Sequence, residues 1–168
     1  ALAADYSGPL KVGTTAAFAP PLEVAVAEAK KQGLAVELVE FSDWIAPNVS
    51  VENGDIDVNL FQHQPFLDNA NQQSGSHLVK YAPAILNNVG LYSKKHTAIS
   101  QIPDGGTVAI ANDTINGGRG LLLLQKAGLI KLKPGAGIKS TVDDIVENPK
   151  HLKIIEVEAV QLSRTLDE

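Results

Sequence analysis

The first forty residues constrain the fold most, because two strand patterns flank one helix pattern within a short length of chain. The strands are predicted from Leu10 to Gly13 and from Ala35 to Glu40. The helix between them is predicted to open at Pro20-Pro21 and to run to Gln32, where a glycine follows as a helix stop. A strand, a helix and a strand within about thirty residues form a βαβ unit, and such crossovers make parallel sheets.

A second β-α pattern begins in the other half of the chain. It comprises a predicted strand from Thr107 to Ala111, a loop from Asn112 to Gly117 and a helix from Gly118 to Ala127. Between the two halves, near Tyr81 to Ala84, the pattern loosens. We therefore predict an α/β protein of two lobes with mainly parallel sheets, residues 1–81 and residues 82–168.

Proline, asparagine and glycine mark the ends of several shorter elements. The second lobe would end on an unfinished helix with no strand to close it, so we expect that a C-terminal part is missing from this sequence. The further elements are predicted as helices from Pro47 to Asn53, Pro65 to Gln73, Thr141 to Asn148 and Gln161 to Glu168, and as strands from Ile56 to Leu60, Leu78 to Tyr81 and Lys153 to Val157.

Charge and composition exclude several classes of function. The formal net charge is -5, whereas nucleic-acid binding is driven by clustered Lys and Arg. The densest apolar run, Leu121 to Leu124, falls well short of the roughly 18 apolar residues that a membrane helix needs. Cysteine is absent, which rules out disulfides, thiol catalysis and thiolate metal sites.

The first three residues, Ala1-Leu2-Ala3, have the small-x-small form of a signal-peptidase cleavage site. A polar stretch from Ala4 to Gly8 follows them. An exported mature chain fits this pattern, and an alanine-rich terminus without a signal fits it equally well.

The stretch from Phe41 to Leu67 is where a binding function is expected. It holds four of the chain's eight aromatic residues and one of its four histidines. Trp44 follows the second predicted strand, and Phe61, His63 and Phe66 follow the third. Ligands of an open parallel sheet bind outside the carboxyl ends of its strands, so these side chains are expected to converge on one cleft. The alternative is that His63 is a hydrogen-bonded packing residue and the rings are ordinary core.

A second candidate site lies in the loop and helix start from Asn112 to Gly120. Its glycines would let backbone N–H groups face a ligand, and a helix N-terminus favours an anion. Arg119 is predicted in the first helical turn, where a cation costs about 0.3 to 1 kcal/mol and a ligand carboxylate would offset that cost. Two alternatives stay open: Arg119 forms a salt bridge with Asp113, and Asn116 is the N-cap of the helix.

No enzyme signature is present in the sequence. It lacks the motifs G-x-G-x-x-G, G-K-S/T, H-E-x-x-H and G-x-S-x-G. The four histidines are widely separated, so no pair of metal ligands is predicted. We therefore predict that the protein is not an enzyme and that it has no catalytic residue, metal site or cofactor.

Several long motifs, which together cover nearly all of Leu10 to Leu166, resemble one known family. They are EFSDWIAPN, NGDIDVNLFQHQPFLDNAN, NNVGLYSKK, IPDGGTVAIANDTINGGRGLLLLQKAGLIKLK, DDIVENPK and LKIIEVEAVQL. With them the chain resembles the NlpA-type methionine-binding lipoproteins, which are extracytoplasmic substrate-binding proteins of a methionine ABC importer.

This resemblance implies a bilobal periplasmic-binding-protein fold of type II, in which two α/β lobes close on a free amino acid. It implies L- or D-methionine or a similar amino acid as the ligand, a membrane ABC permease as the partner, no nucleic-acid partner, and a location in the periplasm or cell envelope. In the family the chain returns to the first lobe after the point where this sequence stops. One hinge strand is expected at Tyr81 to Ala84.

The resemblance also carries the family's pocket onto residues of this chain. The ligand-binding residues implied are Trp44, Phe61, His63, Phe66, Asn116 and Arg119. Arg119 would bind the ligand's carboxylate. Trp44 and Phe66 stand where the family usually has Tyr, so two hydroxyls are lost and the bound side chain need not be that of L-methionine. No lipidation cysteine lies near Ala1, which fits a periplasmic relative or a chain trimmed before that cysteine.

Three other functions stay open. The first keeps the fold but binds another amino acid, a short peptide or a small organic anion. The second is an enzyme or regulatory effector domain on the same scaffold, which would need a catalytic base near Arg119 or a fused DNA-binding segment, and neither is visible. The third is a surface interaction protein whose cleft is vestigial.

Overall fold

A computed structural model describes residues 8–168 of the chain. The candidate cleavage site, Ala1-Leu2-Ala3, lies outside the described residues. The chain divides into two compact units: unit 1 ends at Ile85 and unit 2 begins at Leu86. The predicted lobe boundary after residue 81 lies nearby and stays a prediction.

Unit 1 is built on a parallel sheet of three strands. β1 (Leu10–Thr15) lies between β2 (Val36–Phe41) and β3 (Val58–Asn59). The predicted βαβ unit is therefore confirmed. The third strand is shorter than predicted. Just before its ladder begins, the carboxylate of Asp57 accepts a hydrogen bond from the N–H of Lys11 at 2.8 Å.

Three helices connect or follow the strands of unit 1. α1 (Ala19–Lys31) crosses from β1 to β2, α2 (Ala46–Glu52) leads from β2 to β3, and α3 (Gln64–Ser74) follows β3. Each has proline in its first turn, where the missing N–H leaves no helix hydrogen bond unmade. α3 stops at Gly75, whose φ of 70° is the left-handed conformation typical of a helix end. All three predicted helices are confirmed.

Unit 2 contains two small sheets and one long helix. β4 (Thr107–Ala111) is followed by α4 (Thr114–Lys126). β5 (Lys131–Leu132) and β6 (Ile145–Glu147) form an antiparallel pair that was not predicted, and β7 (Lys153–Val157) pairs in parallel with β4 as expected. The buried core contains Ile110, Leu121, Leu124, Leu129, Ile130, Leu132 and Leu152.

One predicted helix of unit 2 is wrong and another changes type. The segment after Thr141 forms a single 3-10 turn, Val142–Asp144, and then enters β6. The predicted capping box is present, but the β-branched Ile145 and Val146 favour the strand that follows it. The last segment is a 3-10 helix, Ala159–Asp167, and not an α-helix.

The end of unit 1 is not a strand. The strand predicted from Leu78 to Tyr81 is wrong, because within residues 8–168 no ladder partner pairs with it. Its side chains are correspondingly open, with Val79 85% and Tyr81 98% exposed. None of the helices in the described range is long and apolar enough to span a membrane.

Candidate functional site

Phe66 is the centre of an aromatic cluster in unit 1. Its ring centroid lies 6.1 Å from that of Trp44, 5.8 Å from that of Phe61 and 6.3 Å from that of His63. All three contacts are edge-to-face, which suits the quadrupoles of the rings. The structure thus brings together the four predicted side chains of unit 1, named below as the aromatic cluster. Their role in binding stays a prediction.

Trp44 reaches the cluster from the turn between β2 and α2. The carboxylate of Asp43 fixes this turn, because it accepts hydrogen bonds from the N–H groups of Ile45 and Ala46, each at 2.7 Å. The indole Nε1 of Trp44 is buried and has no hydrogen-bond partner within residues 8–168. Leaving such a donor unpaired costs about 1 to 3 kcal/mol.

His63 has a structural role as well as a place in the cluster. It is the N-cap of α3, and its Nδ1 accepts a hydrogen bond from the backbone N–H of Phe66 at 3.2 Å. An accepting Nδ1 carries no proton, so the neutral ring holds its proton on Nε2. This cap fixes the half-buried imidazole beside Phe66. The packing role therefore does not exclude a ligand contact.

Three amide side chains adjoin the turn that carries Phe61 and His63. Asn48, Asn59 and Gln62 hydrogen-bond to one another at 2.7 to 3.1 Å, and we call them the amide triad. These three residues were not predicted as site residues from the sequence. Only a cluster of amide residues beside predicted site residues could have signalled their role, since Asn48 lies 11 and 14 residues from its partners.

In unit 2, Asn116 and Arg119 lie one turn apart on α4. The helix begins at Thr114, earlier than predicted, because Asp113 caps it by accepting the N–H of Asn116 at 2.8 Å. Asn116 is therefore inside the helix, and the alternative that it is the N-cap is wrong. Its Nδ2 donates to Asp113 Oδ1 at 3.2 Å, and its Oδ1 accepts from Arg119 Nη1 at 3.5 Å.

The guanidinium of Arg119 has no salt bridge to any residue that the structure describes. The predicted alternative, a salt bridge to Asp113, is therefore not found in the structure. The hydrogen bond to Asn116 is long and correspondingly weak. Arg119 lies in the second turn of α4 and not in the first, so the expected conflict with the helix macrodipole is largely absent. What remains is a half-buried cation that can bind a carboxylate bidentately.

Gly117 and Gly118 serve packing and not a ligand-facing turn. A Cβ added at Gly117 would lie 2.7 Å from the carbonyl oxygen of Ala111, and one added at Gly118 would lie 1.6 Å from that of Ile138. Both glycines are inside α4, and the N–H of Gly117 donates to the carbonyl of Asp113. The prediction that these glycines turn their N–H groups toward a ligand is therefore wrong.

Each unit thus carries a different set of candidate binding groups. The aromatic cluster of unit 1 offers apolar ring surface and one unused N–H donor. α4 of unit 2 offers a side-chain amide and a guanidinium. Within residues 8–168, no group of three or more His, Asp or Glu side chains is placed to hold a metal ion. Rings and a guanidinium are the groups that suit an apolar side chain and a carboxylate.

Comparisons with known proteins agree on one family. The family model described as NlpA lipoprotein matches residues 10–168. Over 147 residues the chain is 52% identical to the D-methionine-binding lipoprotein MetQ of Escherichia coli (strain K12). This match covers 87% of this chain and 54% of that protein.

Two solved structures show the fold. One is a nutrient binding protein from Burkholderia cenocepacia bound to methionine, with a TM-score of 0.88 and 43% identity over 95% of this chain and 68% of that one. The other is the substrate binding protein of a methionine transporter from Streptococcus pneumoniae, with a TM-score of 0.88 and 37% identity over 95% of this chain and 65% of that one. The predicted periplasmic-binding-protein fold is confirmed.

The chain spans about half the length of the curated relatives it matches. The matched half includes every residue of the aromatic cluster and both candidate residues of α4, since the family model runs from residue 10 to residue 168. On the family model and on the identity to its relatives, this chain belongs to the NlpA lipoprotein family.

Proposed function

We propose that this protein binds methionine, or a close analogue, and delivers it to a membrane ABC importer. The observation that carries the proposal is the half-buried guanidinium of Arg119, which has no salt bridge within the described part of the chain. The relatives support the choice of ligand, since one is named for binding D-methionine and another was solved with methionine.

The aromatic cluster suits a thioether side chain. Sulfur gains about 0.3 to 1.5 kcal/mol from each good contact with a ring, beyond the gain from burying its apolar neighbours. The cluster presents three carbon rings, those of Trp44, Phe61 and Phe66, with edge-to-face packing that keeps them fixed. Fixed rings lose little freedom on binding, so most of the contact energy would contribute to affinity.

The backbone end of the amino acid would be bound by unit 2. A charged hydrogen bond contributes about 1.5 to 3 kcal/mol, and a guanidinium can form two to one carboxylate. The Nη1 of Arg119 lies 3.5 Å from Asn116 Oδ1, so the cation and this amide lie on the same side of α4. In this proposal Asn116 orients Arg119 and Arg119 binds the carboxylate.

The unused N–H of Trp44 favours one alternative ligand class. A thioether is only a weak acceptor, whereas a sulfoxide or amide oxygen would accept a full hydrogen bond from the indole. An amino acid with such an acceptor in its side chain is therefore the second candidate. The fold and the role of Arg119 would be unchanged.

We also infer that the protein works outside the cytoplasm, as a carrier and not as an enzyme. The family is one of lipoproteins, and the relative from Streptococcus pneumoniae is the substrate binding protein of a methionine transporter. A carrier of this kind needs a membrane permease as its partner.

Substitution of Arg119 tests the proposal most directly. Titration calorimetry of the full chain with L-methionine and D-methionine should show that Arg119→Ala raises the Kd about tenfold or more, because the carboxylate loses its charged partner. The Kd of Arg119→Lys should lie between that of the unsubstituted chain and that of Arg119→Ala, since lysine keeps the charge but not the bidentate geometry. Arg164→Ala is the matched control, because Arg164 is the chain's other arginine and is exposed.

The outcomes separate the candidates. An unchanged Kd in Arg119→Ala would remove this residue from the site. Competition by norleucine, L-methionine sulfoxide and L-glutamine identifies the side chain that is bound. Preference for methionine supports the thioether ligand, and preference for the sulfoxide or the amide supports the second candidate.

A further inference from the structure

We propose that the amide triad, Asn48, Asn59 and Gln62, positions the turn of Phe61 and His63 for ligand binding. The three side chains would not touch the ligand themselves. They would act through the aromatic cluster, as positioning residues. This inference rests on the proposed function for its binding consequence, but its structural part can be tested without any ligand.

The triad is a nearly closed set of hydrogen bonds. The Oδ1 of Asn48 accepts from Asn59 Nδ2 at 2.9 Å and from Gln62 Nε2 at 2.7 Å, while its Nδ2 donates to Gln62 Oε1 at 2.9 Å. Gln62 Nε2 also donates to Asn59 Oδ1 at 3.1 Å. Asn59 Nδ2 further donates to the carbonyl of Pro47 at 3.0 Å. Every amide thus acts as donor and as acceptor at once, which neither a carboxylate nor a hydroxyl can reproduce in full.

Burial makes these hydrogen bonds matter. Asn48 is 7% exposed, and Asn59 and Gln62 are half-buried. When a buried amide loses its partners, its polar atoms stay shielded from water without a hydrogen bond. The free-energy cost of this state exceeds the net stabilisation that the hydrogen bond contributed. The triad therefore has one strongly preferred arrangement, and that arrangement fixes where Gln62 lies.

Gln62 transmits the arrangement to the site, because it lies between Phe61 and His63 in the chain. Two hydrogen bonds to β1 secure the chain up to Leu60. Its N–H donates to the carbonyl of Gly13 at 2.9 Å, and its carbonyl accepts from the side-chain hydroxyl of Thr14 at 2.8 Å. The ladder of β3 ends at Asn59. Beyond Leu60 the side chain of Gln62 ties the turn to the start of α2, at Asn48.

The start of α2 is also where the turn of Trp44 ends. Asn48 lies in the first turn of α2, and Trp44 immediately precedes the residue at which that helix is capped. The triad consequently joins two of the segments that supply the aromatic cluster: the turn after β2, with Trp44, and the turn after β3, with Phe61 and His63. Phe66 lies on α3, which follows the second turn. A loosened triad would let these segments move apart.

The first test uses no ligand, because Trp44 is the chain's only tryptophan. In Asn48→Ala, which removes both acceptor contacts and one donor of the triad, Trp44 emission should move to longer wavelength and acrylamide quenching should increase. The matched control is Asn71→Ala, which also removes three amide hydrogen bonds from unit 1, to Leu78 and Ser76, at the far end of α3. It should lower the Tm by a similar amount and leave Trp44 emission unchanged.

The second test measures binding of L-methionine by calorimetry. Asn48→Ala should raise the Kd about fivefold to tenfold, whereas Asn71→Ala should leave it within about twofold of the unsubstituted chain. Gln62→Met repeats both tests with the change at the turn itself, where a similar length is kept and the amide is lost. It decides the question if Asn48→Ala fails to fold.

Each outcome has one meaning. Emission and quenching in Asn48→Ala and Gln62→Met that match the unsubstituted chain would overturn the inference. A shifted emission with an unchanged Kd would overturn its binding part. If the unsubstituted chain binds no methionine, the proposed function fails, and the emission tests still decide whether the triad holds the cluster.

Discussion

Gly118 lies where α4 and the loop after β5 come closest, and an alanine at this position should destabilise unit 2. A Cβ at Gly118 would be 1.6 Å from the carbonyl oxygen of Ile138 and 2.5 Å from its carbonyl carbon. Carbon and oxygen atoms in contact are normally about 3.3 Å apart, so the helix and the loop would have to separate by about 1.7 Å. The obstacle is backbone, so no side-chain rotation can relieve it.

The expected loss follows from two opposing effects. Overpacking of an interior usually costs about 1 to 3 kcal/mol, and an obstacle made of backbone belongs at the upper end of that range. Alanine recovers about 0.5 to 1 kcal/mol relative to glycine inside a helix. We therefore expect Gly118→Ala to lower the free energy of unfolding by about 2 kcal/mol.

Urea denaturation followed by circular dichroism measures this loss. The control is Gly137→Ala in the same loop, because nothing lies within 4 Å of a Cβ added there, and it should change stability by less than about 0.5 kcal/mol. Methionine binding by Gly118→Ala should also weaken, since the neighbouring Arg119 moves with the helix. A Gly118→Ala chain as stable as the Gly137→Ala chain would refute the packing argument.

Two further predictions concern packing of the core and the loss of stability at low pH. Leu121→Ala should lower the free energy of unfolding, measured by urea denaturation, by about 2 to 5 kcal/mol, because Leu121 is 1% exposed. Leu123→Ala, at a half-buried position of the same helix, should lower it less. The backbone N–H of Thr141, and then the ammonium of Lys133, hold the pKa of Asp144 below its ordinary 3.8. The ionised carboxylate of Asp144 therefore stabilises the fold at pH values above its unfolded pKa, and this contribution is lost as pH falls through its folded pKa. The free energy of unfolding of Asp144→Asn should consequently fall less steeply in acid than that of the unsubstituted chain, as measured by urea denaturation across this pH range.

Local patterns predicted most of unit 1. The proline in the first turn of each helix and the glycine after α1 and α3 are signals that act over a few residues, and the structure has helices where they indicate them. The ends of β2 and β3 likewise placed Trp44 and Phe61 correctly on one side of the sheet, where both contact Phe66.

Unit 2 was harder to predict because its elements depend on distant partners. The segment after Thr141 has a genuine capping box, yet it turns into β6 because Ile145 and Glu147 pair with β5, some fifteen residues earlier. Gly117 was predicted as the end of a loop, since glycine weakens a helix, and Gly118 as the helix start, but the missing Cβ of each is what lets α4 approach its neighbours. The amide triad was missed for a similar reason, since its bonds link residues that no short motif relates.

The two parallel sheets differ in how far apart their paired strands lie along the chain. Leu10 pairs with Val36, but Thr107 pairs with Lys153, so β4 must wait for a partner synthesised much later. At a synthesis rate of about 5 to 20 residues per second, the edge of β4 stays unpaired for roughly 2 to 9 seconds after it leaves the ribosome. An unpaired edge can pair with strands of other chains, whereas the β1–β2 pair of unit 1 needs a shorter length of chain before it can close.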